Sequence, residues 1–274
     1  MNNPDREQQK RVNDYFQSTL AYWDEIYREG GVYQTIYQRR RTVALSLVDK
    51  LALPAGSRVL EVGCAHGLTT VALAERGFSV EAVDAVPEMI SAARIRAQES
   101  GLAQRMSFQV ADIQNLPFEA GRFNLVLVIG VTEWLRSLEQ PLREIERVLR
   151  PGGHLVIAAD NRYALANMLD PLRNPVGVYL KGILQALLKR FGYRRRSPPE
   201  RSYSIRQFDS FLRAAGLTKA EGKTVGFGPF SFCRRPLLAE NTGLKLDQSL
   251  QRLADSSLPL LRSSGYVYIV LAVK

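Results

Sequence analysis

Nine residues, Val59 to Gly67, read V-L-E-V-G-C-A-H-G, an order suited to holding a nucleoside. Val59 and Leu60 suit a buried strand, and the small Gly63, Ala65 and Gly67 let backbone approach a ligand closely. A helix starting after Gly67 would offer unpaired N–H groups to a carboxylate or phosphate. Asp84 stands 21 residues beyond Gly63, at the end of the next apolar run, where a carboxylate can accept hydrogen bonds from both hydroxyls of a ribose. A dinucleotide enzyme would carry G-x-G-x-x-G; here Glu61 precedes the small residues as E-x-G-x-A-x-G. A glycine-rich turn with a distant acid does not by itself choose the nucleotide.

The elements that must position these residues alternate in period. Short apolar runs predict strands over 58–62, 79–83, 106–110, 123–129 and 154–159, with helices between them, as in a parallel sheet wound on both faces. Pro87 suits a first helical turn. The helix expected over 138–149 uses Leu142, Ile145 and Val148 and stops at Pro151-Gly152-Gly153. Ser204 with Gln207 predicts a capping box, and strands over 219–225 and 266–273 would finish the sheet as an antiparallel pair, with a loop and a short helix through Leu246, Leu250 and Leu253 between them. Ahead of the sheet, apolar and aromatic residues at helical spacing predict one helix over 5–28 and a second reaching Leu51. The expected organisation is a helical cap over 1–53, a Rossmann-like core over 54–160 and 203–274, and a lid or acceptor insertion over 161–202.

The order E-x-G-x-A-x-G resembles the first motif of class I S-adenosylmethionine-dependent methyltransferases, usually E-x-G-x-G-x-G. F-S-V-E-A-V-D ending at Asp84, A-D-I-Q-N-L-P-F from Ala111, F-N-L-V-L-V-I-G-V-T-E-W-L from Phe123 and L-R-E-I-E-R-V-L-R-P-G-G-H-L-V-I from Leu142 follow in the same order. Over about 57–160 the chain is thus similar to the methyltransferase type 11 group that includes ubiquinone and menaquinone enzymes. The resemblance implies an α/β, doubly wound, mostly parallel seven-stranded sheet with an antiparallel final strand. It also implies S-adenosylmethionine as cofactor and S-adenosylhomocysteine as product. Carried over by position, Gly63, Cys64 and Ala65 would line the methionine end, with Glu61 fixing that loop and Gly67 among the cofactor-binding residues. Asp84 would hold the ribose, Ala85 and Met89 would flank the adenine, Asp112 and Ile113 would read and cover it, and Ile129 and Gly130 would border the sulfonium. Ala65 departs from the usual glycine and adds a methyl where the cofactor passes.

A sulfonium methyl is already activated, so the protein mainly aligns two reactants and excludes water. A base helps when the acceptor must lose a proton. Beyond the carboxyl ends of the strands lie Glu133, Trp134, Asp160, Asn161 and Tyr163. Glu133 and Asp160 are the catalytic candidates, as base or substrate anchor, against a reading of each as a capping or solvated acid. His66 belongs to the cofactor loop and His154 to the far end of its strand. Tyr15, Tyr22, Trp23 and Tyr27 either wall the pocket, as in related small-molecule enzymes, or pack as plain core. Arg39, Arg40 and Arg41 either reach a cofactor carboxylate or form a solvated face.

The chain has 274 residues, 46% of them hydrophobic, enough for one large core with an attached lid. It has no apolar run near the roughly 20 residues that span a bilayer, and its polar start at 1–10 lacks a signal-peptide pattern, so the cytoplasm is the expected compartment. Cys64 and Cys233 lack metal-ligand spacing, and no metal is expected. The net charge is +10, of which +7 falls between Asn161 and Ser202 (nine Lys or Arg against Asp170 and Glu200). An apolar helical face over 176–191, followed by Arg194, Arg195 and Arg196, suits an ordinary lid, a homodimer element, or peripheral contact with the inner face of a membrane through 176–196. The leading expectation is methylation of a small hydrophobic acceptor such as a lipid, quinone or secondary metabolite. RNA methylation is an alternative motivated by charge, although no N-P-P-Y motif or RNA-binding module appears, and nucleic acid is not an expected partner. A non-catalytic cofactor-binding partner subunit is the third reading.

Overall fold

The computed structural model describes residues 4–26, 30–175, 200–233, 235–256 and 258–274. Val176 to Pro199 lie outside them, and with them the amphipathic stretch and its arginines; so does Tyr27.

A seven-stranded sheet forms the centre, in the order β3-β2-β1-β4-β5-β9-β6. Its strands are β1 (Arg58–Val62), β2 (Ser79–Asp84), β3 (Met106–Val110), β4 (Phe123–Val128), β5 (Leu149–Asp160), β6 (Thr218–Val225) and β9 (Val267–Val273); β7 (Ser231–Phe232) and β8 (Arg235–Pro236) make a separate hairpin. β1 to β5 pair in parallel, and β9 runs antiparallel to both β5 and β6. Only β9 is therefore reversed, so the closing strands pair as expected while β6 keeps the direction of the first five.

The strands are nearly continuous apolar runs because helices cover both faces. Side-chain alternation divides them: Leu60, Val62, Val126, Val128, Leu155 and Ile157 join one core with α6 (Glu139–Val148) and α8 (Ile205–Ala214). Val59, Leu125, Leu127, Val156 and Ala158 join the other, with α3 (Val32–Lys50) and α4 (Leu68–Glu75). The chain winds outward from β1 in one direction and from β4 in the other, so a crevice opens beyond their carboxyl ends.

Three expectations change. The first helix divides into α1 (Pro4–Ser18) and α2 (Leu20–Glu25), because Thr19 leaves helical geometry and its hydroxyl donates to the Tyr15 carbonyl at 2.7 Å. β5 begins five residues early: Pro151-Gly152-Gly153 forms a bulge in the strand, where Lys274 N–H donates to the Gly153 carbonyl and Gly152 N–H to the Lys274 carbonyl. The helix through Leu246 and Leu253 is α9 (Glu240–Asp255), four turns rather than a short one, and is followed by α10 (Pro259–Arg262). The Ser204 cap is present, its Oγ accepting from Gln207 N–H at 3.1 Å.

Candidate functional site

The turn leaving β1 is built on positive backbone angles at Gly63 (φ +74°), Ala65 (+45°) and Gly67 (+75°). A side chain at Gly63 would overlap Val131, and one at Gly67 would press Ala93 of α5 (Pro87–Glu99). Gly63 and Cys64 N–H both donate to the Val83 carbonyl of β2, at 2.8 and 3.1 Å. Asp84 then fastens the turn: Oδ2 accepts from Ala65 N–H and Oδ1 from Val86 N–H, each at 3.0 Å. Burial raises the Asp84 pKa, opposed by hydrogen bonds from the backbone N–H groups of Val86, Ala65 and Ala85. Buried Glu61 accepts from the Thr70 hydroxyl, and desolvation pushes its carboxyl up to about 8.

A cavity of about 220 Å³ begins at this turn. Its wall includes Glu61, Gly63, Cys64, Ala65, Asp84, Ala85, Met89, Asp112, Ile113, Ile129 and Gly130, which the sequence singled out, and also His66. Asp112 organises its own turn, Oδ1 accepting from Gln114 N–H at 2.9 Å. Met89, only 1% exposed, is both core and cavity wall. Gly67 is not part of the wall; its place is the contact with α5. Val131 packs against Gly63 so closely that only glycine fits there, and the wall continues past Ala65 to the Asp84 carboxylate and apolar Ile113, a lining whose chemistry suits an adenosyl group.

The other end of the cavity is set by α1, α3 and the short turn Thr132–Trp134. α1 is docked by amides: Gln8 Nε2 donates to the Trp134 carbonyl at 3.0 Å and Asn13 Nδ2 to the Ala85 carbonyl at 3.2 Å. The Trp134 ring meets Phe16, Tyr15 and Trp23 with centroids 5.1, 5.7 and 6.5 Å away. Phe16 and Trp23 reach the cavity, whereas Tyr15 does not line it and Tyr22 is 50% exposed.

The three arginines diverge as successive 100° steps of a helix require. Arg39 pairs with buried Asp247 at 2.6 Å, and Arg41 donates to the Leu68 carbonyl at 2.9 Å. Arg40 turns inward to the Glu133 carboxylate at 3.3 Å, and its guanidinium lies 4.6 Å from the Tyr37 ring centroid. None forms the solvated face that was the alternative. Tyr37 was missed as a cavity residue; an aromatic followed three residues later by an arginine on one helical face was the available signal.

Glu133 lines the cavity and Asp160 does not. Burial raises both carboxyl pKa values, and the Glu133 charge raises that of Asp160 further. The segment after residue 199 ties the two positions together, Arg201 N–H donating to the Glu133 carbonyl at 2.7 Å and Tyr203 N–H to the Asp160 carbonyl at 2.9 Å. Asn161 is a buried tie to the Ser263 and Gly265 carbonyls, and Tyr163 faces solvent. His154, expected at the far end of its strand, lies in the middle of β5 because that strand begins at Leu149, and it does not line the cavity. Among the described residues no group of three or more His, Cys, Asp or Glu is placed to hold a metal, and no helix is long and apolar enough to cross a membrane.

An open, mostly parallel sheet with one reversed strand and a crevice at its switch point defines a Rossmann-like fold. Residues 60–157 match the family model described as a methyltransferase domain. The chain is 35% identical over 121 residues to a ubiquinone biosynthesis O-methyltransferase of Xanthomonas axonopodis pv. citri (strain 306), covering 44% of this chain and 50% of that one. It is 36% identical over 113 residues to the methyltransferase GfsG of Streptomyces halstedii, covering 41% of each. The chain thus spans about half the length of the curated relatives it matches, or less. A solved magnesium protoporphyrin IX methyltransferase from Synechocystis PCC 6803 with bound SAH shares the fold, with TM-score 0.64 and 19% identity over 97% of this chain and 99% of that one.

Proposed function

We propose that this protein transfers the methyl group of S-adenosylmethionine to a small acceptor with a hydrophobic body, of the lipid, quinone or secondary-metabolite kind. The observation that carries this reading is one continuous cavity whose wall runs from Gly63 and Asp84 at one end to Glu133 and Trp134 at the other. Donor and acceptor can therefore meet inside a single space from which α1 excludes water.

When bound, the donor supplies a methyl group already activated on sulfur. The Gly63 turn admits its methionine part, with Glu61 behind it. Asp84 keeps a lone pair on each oxygen after receiving the Ala65 and Val86 N–H groups, and these accept the ribose hydroxyls. Ala85 and Met89 flank the adenine, Ile113 covers it and Asp112 reads its amino edge. Ile129 and Gly130, which line the cavity between its two ends, would border the methyl group when the donor is bound. Phe16, Trp23, Tyr37 and Trp134 hold an apolar or aromatic acceptor against Glu133. Relatives include both a ubiquinone biosynthesis O-methyltransferase and a norajmaline N-methyltransferase, so the acceptor must be found by its own chemistry.

Incubating the protein with labelled S-adenosylmethionine and a panel of quinols, phenols and short-chain lipids tests this. Label should enter an organic-soluble product and not RNA. Transfer to RNA alone would replace the reading with its competitor, and intact donor binding without transfer to any class would favour a non-catalytic subunit.

A further inference from the structure

We propose that Arg40 is a catalytic residue for a hydroxyl acceptor, holding the acceptor oxygen as an oxyanion once Glu133 has taken its proton. This rests on the methyltransferase reading above and names the acceptor class within it: a phenol or an enol.

Arg40 is 4% exposed and Glu133 6%, and both face the same cavity as Gly130. Removing a guanidinium from water is costly, and a lone cation there would repel a sulfonium; the Glu133 carboxylate at 3.3 Å balances it. The position is specific. Gly130 has φ +76°, and an added Cβ there would stand 2.7 Å from Arg40 Nη2, so the guanidinium crosses the turn leaving β4 at a point only glycine allows. Tyr37 backs the guanidinium with its ring face. Burial holds the Tyr37 phenol well above its ordinary pKa, so it stays neutral and does not compete for the proton. Charges on neighbouring elements that bear on this group are Asp160 at the end of β5 and Glu200 beyond it, with Arg173 acting on Asp160.

The pair acts by exchanging partners. The acceptor O–H bond breaks and its proton goes to a Glu133 carboxylate oxygen, which releases Arg40 from its ion pair. Arg40 then holds the acceptor oxyanion. An oxygen lone pair forms the bond to the methyl carbon as the carbon–sulfur bond breaks, and that electron pair stays on sulfur. Product is the methyl ether with S-adenosylhomocysteine, and the proton remains on Glu133 until solvent removes it. Desolvation raises the Glu133 carboxyl above the ordinary carboxylate range, which brings it nearer to the acidity of a phenol.

The test uses 4-nitrophenol, whose ionised form has a visible band, bound to the full chain saturated with S-adenosylhomocysteine. Binding of the latter is measured first, by calorimetry, for every variant. The bound phenol should ionise at least about one pH unit below the free phenol, a tenfold gain in the ionised fraction at fixed pH below both midpoints. Arg40→Met should remove that gain, and Arg40→Gln supplies the same readout should the Met variant not fold. A phenol that binds only in its neutral form, one that shows no saturable binding, or an ionisation midpoint unchanged by these variants would overturn the proposal. Loss of S-adenosylhomocysteine binding by the unsubstituted protein would instead overturn the methyltransferase reading on which it rests.

Discussion

The backbone N–H of Ala65 donates to Oδ2 of Asp84 at 3.0 Å, so the turn leaving β1 is fastened to the tip of β2. One carboxylate thereby shapes the turn at one end of the cavity and, on the proposed reading, would also accept hydrogen bonds from the donor's ribose. Asp84→Ala should retain the helical circular-dichroism signal, because the sheet does not depend on it. S-adenosylhomocysteine affinity should fall at least about tenfold, the scale of a lost hydrogen bond to a charged group. Unchanged affinity would place the ribose elsewhere.

Ala65 itself carries strain, since φ +45° is a region L side chains avoid. Ala65→Gly should relieve roughly 1–2 kcal/mol of it and lose roughly 0.5–1 kcal/mol to the greater freedom of the unfolded chain. The net expectation is a melting temperature higher by about 1–4 °C. A lower melting temperature would mean that the Ala65 methyl makes contacts worth more than the strain.

Glu61 links pH to stability. Its carboxyl titrates at about 8 in the folded chain against an ordinary 4.5. The folded state therefore binds a proton that the unfolded state has lost, and stability from this group is complete below pH 4.5 and disappears as pH rises to about 8. Urea unfolding at pH 5 and pH 8.5 should differ by on the order of a few kcal/mol from this source, and Glu61→Gln should flatten the difference. A Gln variant with the same pH dependence would assign it to other groups.

Asp247 is fully buried and holds three donors, Arg39 Nη1 at 2.6 Å, Phe227 N–H at 2.6 Å and Gly228 N–H at 3.2 Å. Asp247→Ala would strand a guanidinium and two backbone N–H groups, at a cost of about 3–5 kcal/mol. Denaturant midpoints of this variant and of Arg39→Ala measure it. Near-native stability of Asp247→Ala would mean that water satisfies these donors.

The end of the cavity proposed for the donor was legible because it is local. A strand, a small-residue turn and an acid at the next strand tip are fixed by neighbours in sequence, and nearly all the residues read there line the cavity. Gly67, read among the cofactor-binding residues, is not part of the cavity wall and packs against Ala93; a glycine needed for close helix packing looks the same in sequence as one needed for a ligand. The acceptor half was legible only in part. Glu133 and Trp134 follow directly from the fourth strand, but Phe16, Tyr37 and Arg40 arrive from helices about 100 residues away, and their inward faces depend on a kink at Thr19 and on how α3 rotates against the sheet. Asp160 had the right strand end and the right residue type, yet it does not line the cavity that Arg40, Tyr37 and Glu133 line. The bulge at 151–153 escaped for a different reason: proline and two glycines signal a stop, and only pairing with the distant Lys274 reveals that the strand continues.

Calorimetric titration of the purified protein with S-adenosylhomocysteine tests the central claim most directly. One saturable site per chain, with stability raised by about 2.7 kcal/mol at a hundredfold excess over the dissociation constant, is what a donor crevice at Gly63 and Asp84 predicts. No heat and no stabilisation at millimolar ligand would contradict it.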